Sequence, residues 1–181
     1  MVAFLLFDIP HNYLIAGIIF GIASITDYFD GKIARSRNLV TDFGKLVDPV
    51  ADKLLVTAAI TCFVENGLCS SWVLIIILAR EFAVTSMRMV AAGKGNVIAA
   101  NMWGKVKTVS QMISIIAIFV MQWFVQLMNS GVLGDTMLNA TPTVSEIVNV
   151  IGSVLLWLCA ALTLISGIVY LIQNKEVFAD M

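Results

Sequence analysis

The chain has 181 residues, of which 60% are hydrophobic and only 13% are charged. Soluble domains carry about 25% charged residues, and the mean hydropathy of +0.94 instead predicts a protein whose solvent is a lipid bilayer. The formal net charge of −1 provides no positive field to attract a polyanion, so nucleic acid is excluded as an expected partner.

Five stretches of the sequence reach the roughly 20 mostly apolar residues that a membrane-spanning helix needs. They cover about residues 13–34, 44–64, 71–92, 105–128 and 144–172. A preceding apolar stub at residues 1–7 is too short to span. We therefore predict an all-α polytopic membrane helix bundle, a single domain over residues 1–181, with five full spans. We expect the stub to be the end of a sixth helix in a chain shortened at its start.

The basic residues alternate between the predicted connections. The first connection contains Lys32, Arg35, Arg37 and Lys45. The third contains Lys94, Lys105 and Lys107, and the C-terminal tail contains Lys175. The second and fourth connections, near residues 65–70 and 129–145, contain no Lys or Arg. Under the positive-inside rule the basic connections and the C-terminus are expected to face the cytoplasm.

Gly17 and Gly21 form a GxxxG pair in the first predicted span. Small residues at this spacing let two helices approach closely. We expect the pair to serve packing within the bundle, with a dimer face as the alternative.

Four aspartates lie in the predicted helix ends on either side of the first connection. Asp27 and Asp30 are three residues apart and Asp48 and Asp52 are four apart, so each pair shares one face of its helix. Carboxylates within spans indicate function. Four converging carboxylates repel one another unless protons or a hard cation such as Mg²⁺, Mn²⁺ or Ca²⁺ neutralises them. The alternative is an interfacial salt-bridge network with Lys32, Arg35, Lys45 and Lys53.

Small and basic residues accompany the aspartates. Gly31, Ala34 and Gly44 let a flat ligand approach the backbone, and Arg35 offers a phosphate partner. The sequence contains neither a Walker A loop nor a GxGxxG loop. Metal ligands, small residues and an arginine together favour a nucleotide diphosphate as the ligand.

The eight spaced residues resemble a known signature. The pattern D-x2-D-G-x2-A-R-x8-G-x3-D-x3-D over residues 27–52 is similar at all eight positions to that of the CDP-alcohol phosphotransferases. The resemblance implies six membrane helices, a homodimer, and transfer of a phosphatidyl or similar group from a CDP-linked donor to an alcohol with release of CMP. It implies that one or two Mg²⁺ or Mn²⁺ ions are bound by Asp27, Asp30, Asp48 and Asp52, with Asp52 also the general base. The donor's CDP group is then expected to contact Asp27, Gly31, Ala34, Arg35 and Gly44.

Further motifs resemble one bacterial branch of this family. They are Asp48-Pro49-x-Ala51-Asp52-Lys53, Ala79-Arg80-Glu81-Phe82 with Arg88, and Gly104-Lys105-x-Lys107-Thr108. That branch uses CDP-diacylglycerol as donor and sn-glycerol 3-phosphate as acceptor. The resemblance implies a bacterial cytoplasmic membrane protein whose active site faces the cytoplasm.

The acceptor phosphate needs cations, and we assign it to Arg80, Arg88, Lys105 and Lys107. Arg80 and Arg88 are eight residues apart and share a helix face. Adjacent positions on a helix do not face each other, so we expect Arg80 not to be paired with Glu81. The proposed cations favour a phosphorylated acceptor over serine.

Other functions fit parts of the same pattern. The acceptor of the same reaction could be inositol phosphate, serine or phosphatidylglycerol. A small cation transporter could use the four aspartates as its transport site, but they lie near one face and no internal repeat is visible. A purely structural membrane subunit does not explain four carboxylates at metal-ligand spacing.

Overall fold

The computed structural model describes residues 1–6, 9–36, 42–93, 102–130 and 135–174, and within these it leaves out the side chains of residues 27–28, 30–36, 42–52, 92 and 135–141. All regular structure in the described residues is helical. The helices are α1 (Val2–Leu6), α2 (Asn12–Ser36), α3 (Asp42–Glu65), α4 (Ser71–Gly93), α5 (Met102–Asn129) and α6 (Asp135–Gln173). The predicted all-α class is confirmed for this part of the chain.

The bounds of α2 to α5 lie within three residues of the predicted stretches. The beginning of α6 was predicted wrongly, because the helix starts at Asp135 where the sequence analysis placed a connection up to residue 145. Pro142 lies inside this helix, and its missing N–H removes one backbone hydrogen bond without ending the helix. The Ser145 hydroxyl donates to the Pro142 carbonyl at 2.8 Å.

Helix α5 buries several polar residues and exposes a row of apolar ones. Its buried face includes Lys107, Gln111, Ser114 and Gln122. Its exposed residues include an apolar row at helical spacing, which consists of Val106, Val109, Ile113, Ile116, Val120 and Phe124. A soluble protein shows the reverse distribution, whereas a helix in lipid exposes apolar side chains and turns polar ones toward the bundle.

By length and composition, two helical segments among the described residues qualify to cross a membrane, Met102–Asn129 and Pro142–Gln173. They pair through polar side chains. Gln122 Nε2 donates to Asn149 Oδ1 at 2.7 Å, and Ser114 Oγ lies 3.2 Å from Cys159 Sγ. Interhelical hydrogen bonds of this kind fix the register of helices that have no hydrophobic drive to associate in lipid.

Three phenylalanines form the core where α2, α3 and α5 meet. The ring centroid of Phe119 lies 5.9 Å from that of Phe20 and 5.1 Å from that of Phe63, and all three side chains are buried. A Cβ built on Gly17 would lie only 3.1 Å from Phe119 Cβ, whereas one on Gly21 meets no described atom within 4 Å. Gly17 therefore serves packing within the bundle, as expected, and Gly21 takes no part in this contact.

The contacts place the functional residues at one end of the bundle. Helices α2 and α5 run antiparallel, since Gly17 lies against Phe119 and His11 Nδ1 accepts a hydrogen bond from Trp123 Nε1 at 3.3 Å. Asp27 and Asp30, in the last turns of α2, thus lie toward the end at which α5 begins. His11 lies at the opposite end and is excluded as a ligand for a site there.

The Gly17 contact is testable with a matched pair of substitutions. Gly17→Ala and Gly21→Ala gain the same helix propensity, so the difference between their stabilities isolates the packing contact. We expect Gly17→Ala to be less stable than Gly21→Ala by about 1–3 kcal/mol, the usual range for overpacking a filled core. Thermal unfolding of both variants in one detergent measures this, and equal stabilities would contradict the assigned contact.

Candidate active site

The four aspartates are placed by their helices. Asp27 and Asp30 belong to the C-terminal part of α2, and Asp48 and Asp52 to the N-terminal part of α3. The two helices contact each other, and the helical backbone keeps each pair on one face. The four carboxylates lie outside the described residues. The same holds for the side chains of Ala34 and Arg35 and for the surroundings of Gly31 and Gly44. Their convergence stays a prediction.

Lys53 is the first residue of α3 after Asp52 whose side chain the structure describes. Its ammonium group donates to the Thr85 hydroxyl of α4 and lies 4.0 Å from Glu81 Oε2. Lys53 therefore joins the aspartate-bearing end of α3 to α4, and it places a positive charge one residue from Asp52.

Glu81 is the common partner of three cations. Besides Lys53, the Arg80 guanidinium lies 3.5 Å from Glu81 Oε1, and Lys107 Nζ of α5 donates to the same oxygen. The expectation that Arg80 would not pair with Glu81 was wrong, because the guanidinium at the end of the long arginine side chain reaches the adjacent carboxylate. Lys107 is only 4% exposed, and burial of its charge requires such a partner.

Arg80 is fixed on a second side by α6. Its Nη2 donates to Ser166 Oγ at 2.7 Å, and a Cβ on Gly167 would lie 3.1 Å from Arg80 Cγ. The absence of a side chain at Gly167 thus lets the arginine lie flat against α6. Of the predicted acceptor residues, Arg80 and Lys107 meet at Glu81, whereas Arg88 and Lys105 are exposed.

A small pocket of about 40 Å³ opens beside Glu81, between α3, α4 and α5. Such a volume holds about three water molecules. Lys53, Lys107, Gln111 and the hydroxyl-bearing Thr57 are among its lining residues. Gln111 is 3% exposed, and its Nε2 has no hydrogen-bond partner among the described residues.

Sequence reasoning gave no role in acceptor binding to two residues that line this pocket. Lys53 was considered as a partner of the aspartates and as part of a motif, and Gln111 was not considered. One available signal was the four-residue spacing of Lys107 and Gln111 in an apolar stretch, which puts two polar groups on one helix face. Among the described side chains, no group of three or more His, Cys, Asp or Glu is placed to hold a metal ion.

Comparison with known proteins identifies this architecture. A family model described as CDP-alcohol phosphatidyltransferase matches residues 1–165. The chain is 34% identical over 169 residues to the CDP-diacylglycerol–glycerol-3-phosphate 3-phosphatidyltransferase of Rickettsia bellii, covering 93% of this chain and 83% of that protein. It is 53% identical over 111 residues to the Bacillus subtilis protein of the same name, covering 61% of this chain and 58% of that protein. A probable phosphatidylglycerophosphate synthase of Mycobacterium tuberculosis is 42% identical over 102 residues, 56% of this chain and 48% of that protein.

The helical bundle with its lipid-type surface and buried charges defines an integral membrane protein. The chain belongs to the CDP-alcohol phosphatidyltransferase family, so the resemblance of the signature over residues 27–52 is confirmed, and the protein is a transferase.

The buried ion pair predicts different effects for two neighbouring lysines. Lys107→Gln removes a partner of Glu81 inside the bundle, and we expect a loss of about 1–3 kcal/mol of stability. Lys105→Gln changes an exposed lysine on the same helix, and we expect a change of about 0.5 kcal/mol or less. Unfolding of both variants in detergent provides the comparison; a Lys107→Gln protein as stable as Lys105→Gln would contradict the buried pair.

Proposed function

We propose that this protein transfers the phosphatidyl group of CDP-diacylglycerol to sn-glycerol 3-phosphate, which gives phosphatidylglycerophosphate and CMP. The main support for this acceptor is a set of three cations within 4.0 Å of Glu81, namely Lys53, Arg80 and Lys107. A phosphorylated alcohol needs such cations and an uncharged alcohol does not. The names of the Bacillus and Rickettsia relatives support the same donor and acceptor.

The bilayer supplies the donor and orients the chain. We assign all of α2 to α6 as spans, since each has at least 23 residues and about 20 suffice. Apart from Glu65, the charged residues of α2 and α3 lie in the C-terminal part of α2 and the N-terminal half of α3, at an end that the basic connections place in the cytoplasm of a bacterium. The active site and the C-terminus then face the cytoplasm, and two copies form a homodimer as in the family that the sequence resembles.

The donor site lies between α2 and α3. Asp27, Asp30, Asp48 and Asp52 are carboxylate donors on two contacting helices, and their oxygen-only chemistry fits Mg²⁺ or Mn²⁺. One or two such ions, when bound, supply neutralisation of the charge on the diphosphate. The small residues Gly31, Ala34 and Gly44 and the cation Arg35 accommodate the cytidine diphosphate, with Asp27 also in contact with it.

The reaction is a direct displacement at phosphorus. Asp52 accepts the proton of the acceptor hydroxyl, whose pKa is far above 7, so a base is needed. The hydroxyl oxygen forms a bond to the phosphorus of the phosphatidyl group, the bond from that phosphorus to the CMP oxygen breaks, and CMP leaves. A covalent intermediate is not required, since the three cysteines are buried and His11 lies at the other end of the bundle.

The acceptor phosphate is bound by Arg80, Arg88, Lys105 and Lys107. Lys107 is buried, Arg80 is partly buried, and both are fixed at Glu81. Arg88 and Lys105 are exposed and suit a solute that arrives from water.

Removal of the proposed base tests this chemistry. With CDP-diacylglycerol, glycerol 3-phosphate and Mg²⁺, we expect Asp52→Asn to release CMP about 10²–10⁴-fold more slowly than wild type, the usual contribution of a general base. Donor binding is expected to change little. Asp42→Asn, at the first residue of α3, serves as the control because asparagine and aspartate cap a helix about equally.

Near-normal turnover by Asp52→Asn would contradict the base assignment. Wild-type CMP release that is unaffected by a chelator would contradict the proposed role of the divalent ion.

A further inference from the structure

Glu81 lies where three helices meet, and the chemistry above gives it no role. Its carboxylate receives Lys53 from α3, Arg80 from its own helix and Lys107 from α5. Arg80 also extends to Ser166, so the cluster reaches α6. A carboxylate that joins three helices, in a cluster that reaches a fourth, is in a position to set the geometry of the acceptor site.

Three cations share the Glu81 carboxylate. The cations repel one another, and the repulsion is strong because Lys107 and Arg80 are only 4% and 12% exposed. Glu81, at 19% exposed, is the shared anion that keeps them together.

The cations are also held from their outer sides. The Lys53 ammonium group donates to Thr85, and the Arg80 guanidinium donates to Ser166. These hydroxyl contacts fix the positions of Lys53 and Arg80, and Glu81 fixes how close the three cations come to one another. The positive charge is therefore preorganised, which lowers the entropic loss when an anion binds.

The pocket beside Glu81 offers a further donor. Gln111 is 97% buried (3% exposed), lines the pocket, and its amide Nε2 has no hydrogen-bond partner among the described residues. A buried donor without a partner is unfavourable, so an acceptor group is expected there. Ammonium groups and an amide N–H together select an oxyanion, and a phosphate ester is the oxyanion that the acceptor carries.

We propose that Glu81 is a positioning residue of the acceptor site: its carboxylate holds Lys53, Arg80 and Lys107 at the spacing that binds the acceptor phosphate, and Gln111 adds a hydrogen bond to it. Lys53 and Gln111 thereby join the acceptor-binding residues. This inference rests on the proposed function and names the part of the protein that determines its preference for a phosphorylated acceptor.

Three variants test the role of Glu81. Glu81→Gln removes the charge and keeps the size, Glu81→Asp keeps the charge on a shorter side chain, and Glu146→Gln makes the same change as Glu81→Gln at an exposed site on α6.

We expect Glu81→Gln to raise the KM for glycerol 3-phosphate about tenfold, the effect of losing one charge-assisted contact. The KM for CDP-diacylglycerol is expected to change by less than about twofold, since that interaction lies elsewhere. Glu81→Asp should recover part of the loss, and Glu146→Gln should match wild type.

Inorganic phosphate provides a readout that needs no turnover. We expect phosphate to raise the unfolding temperature of wild type and Glu146→Gln, and to raise that of Glu81→Gln much less. Binding of this kind stabilises the folded state according to the ratio of ligand concentration to Kd. If Glu81→Gln does not fold, Glu81→Asp decides the question, because it must still show a selective rise in the KM for glycerol 3-phosphate.

Three results would overturn the inference. An unchanged or lower KM for glycerol 3-phosphate in Glu81→Gln would mean that the carboxylate only repels the phosphate. Equal losses for donor and acceptor, without recovery in Glu81→Asp, would mean a merely structural role. Phosphate stabilisation that is equal in wild type and Glu81→Gln would also contradict it. If wild type makes no CMP with glycerol 3-phosphate yet phosphate stabilises it through Glu81, the proposed function fails while the anion site stands.

Discussion

The structure depends on one constraint, which is that charges placed among lipid-exposed helices must be paired. Glu81 meets this constraint for three cations at once, from α3, α4 and α5. Removal of one partner from a buried ion pair leaves an uncompensated charge, and this is more unfavourable than the pair is favourable. The pairing therefore fixes the relative positions of the helices at the end of the bundle where the chemistry is proposed.

The rest of the bundle is apolar and serves to hold that end in place. Phe20, Phe63 and Phe119 pack α2, α3 and α5 together, and Gly17 lets α2 approach α5 closely enough for this packing. Because α2 and α3 both belong to this core, the turns that carry the aspartates are anchored to the same framework as the cations. The two halves of the proposed reaction, donor and acceptor, thus share one rigid support.

Much of the fold was predictable from the sequence, because a span in lipid is a local property. Apolar length alone placed α2 to α5 within three residues. The beginning of α6 was not predictable in this way, since Pro142 and polar neighbours are also typical of a connection and only the surrounding structure decides. The spacing of the aspartates predicted shared faces, and their side chains lie outside the described residues.

The partner of each cation was not predictable from sequence. Residue spacing identifies neighbours along one helix, whereas Lys53 and Lys107 reach Glu81 from two other helices. The pairing of Arg80 with Glu81 depends on a side-chain conformation that helix spacing does not fix. Gln111 acquires significance only because the fold buries its amide next to that cluster.

We propose that the protein joins a phosphatidyl group to glycerol 3-phosphate. In the most direct measurement, the purified protein is placed in lipid and supplied with CDP-diacylglycerol, Mg²⁺ and isotopically labelled glycerol 3-phosphate. The label is then followed by mass spectrometry of the extracted lipid. We expect the label to appear in phosphatidylglycerophosphate together with an equal amount of CMP. Label that stays in the aqueous phase, while another alcohol such as serine or inositol phosphate enters the lipid, would contradict it.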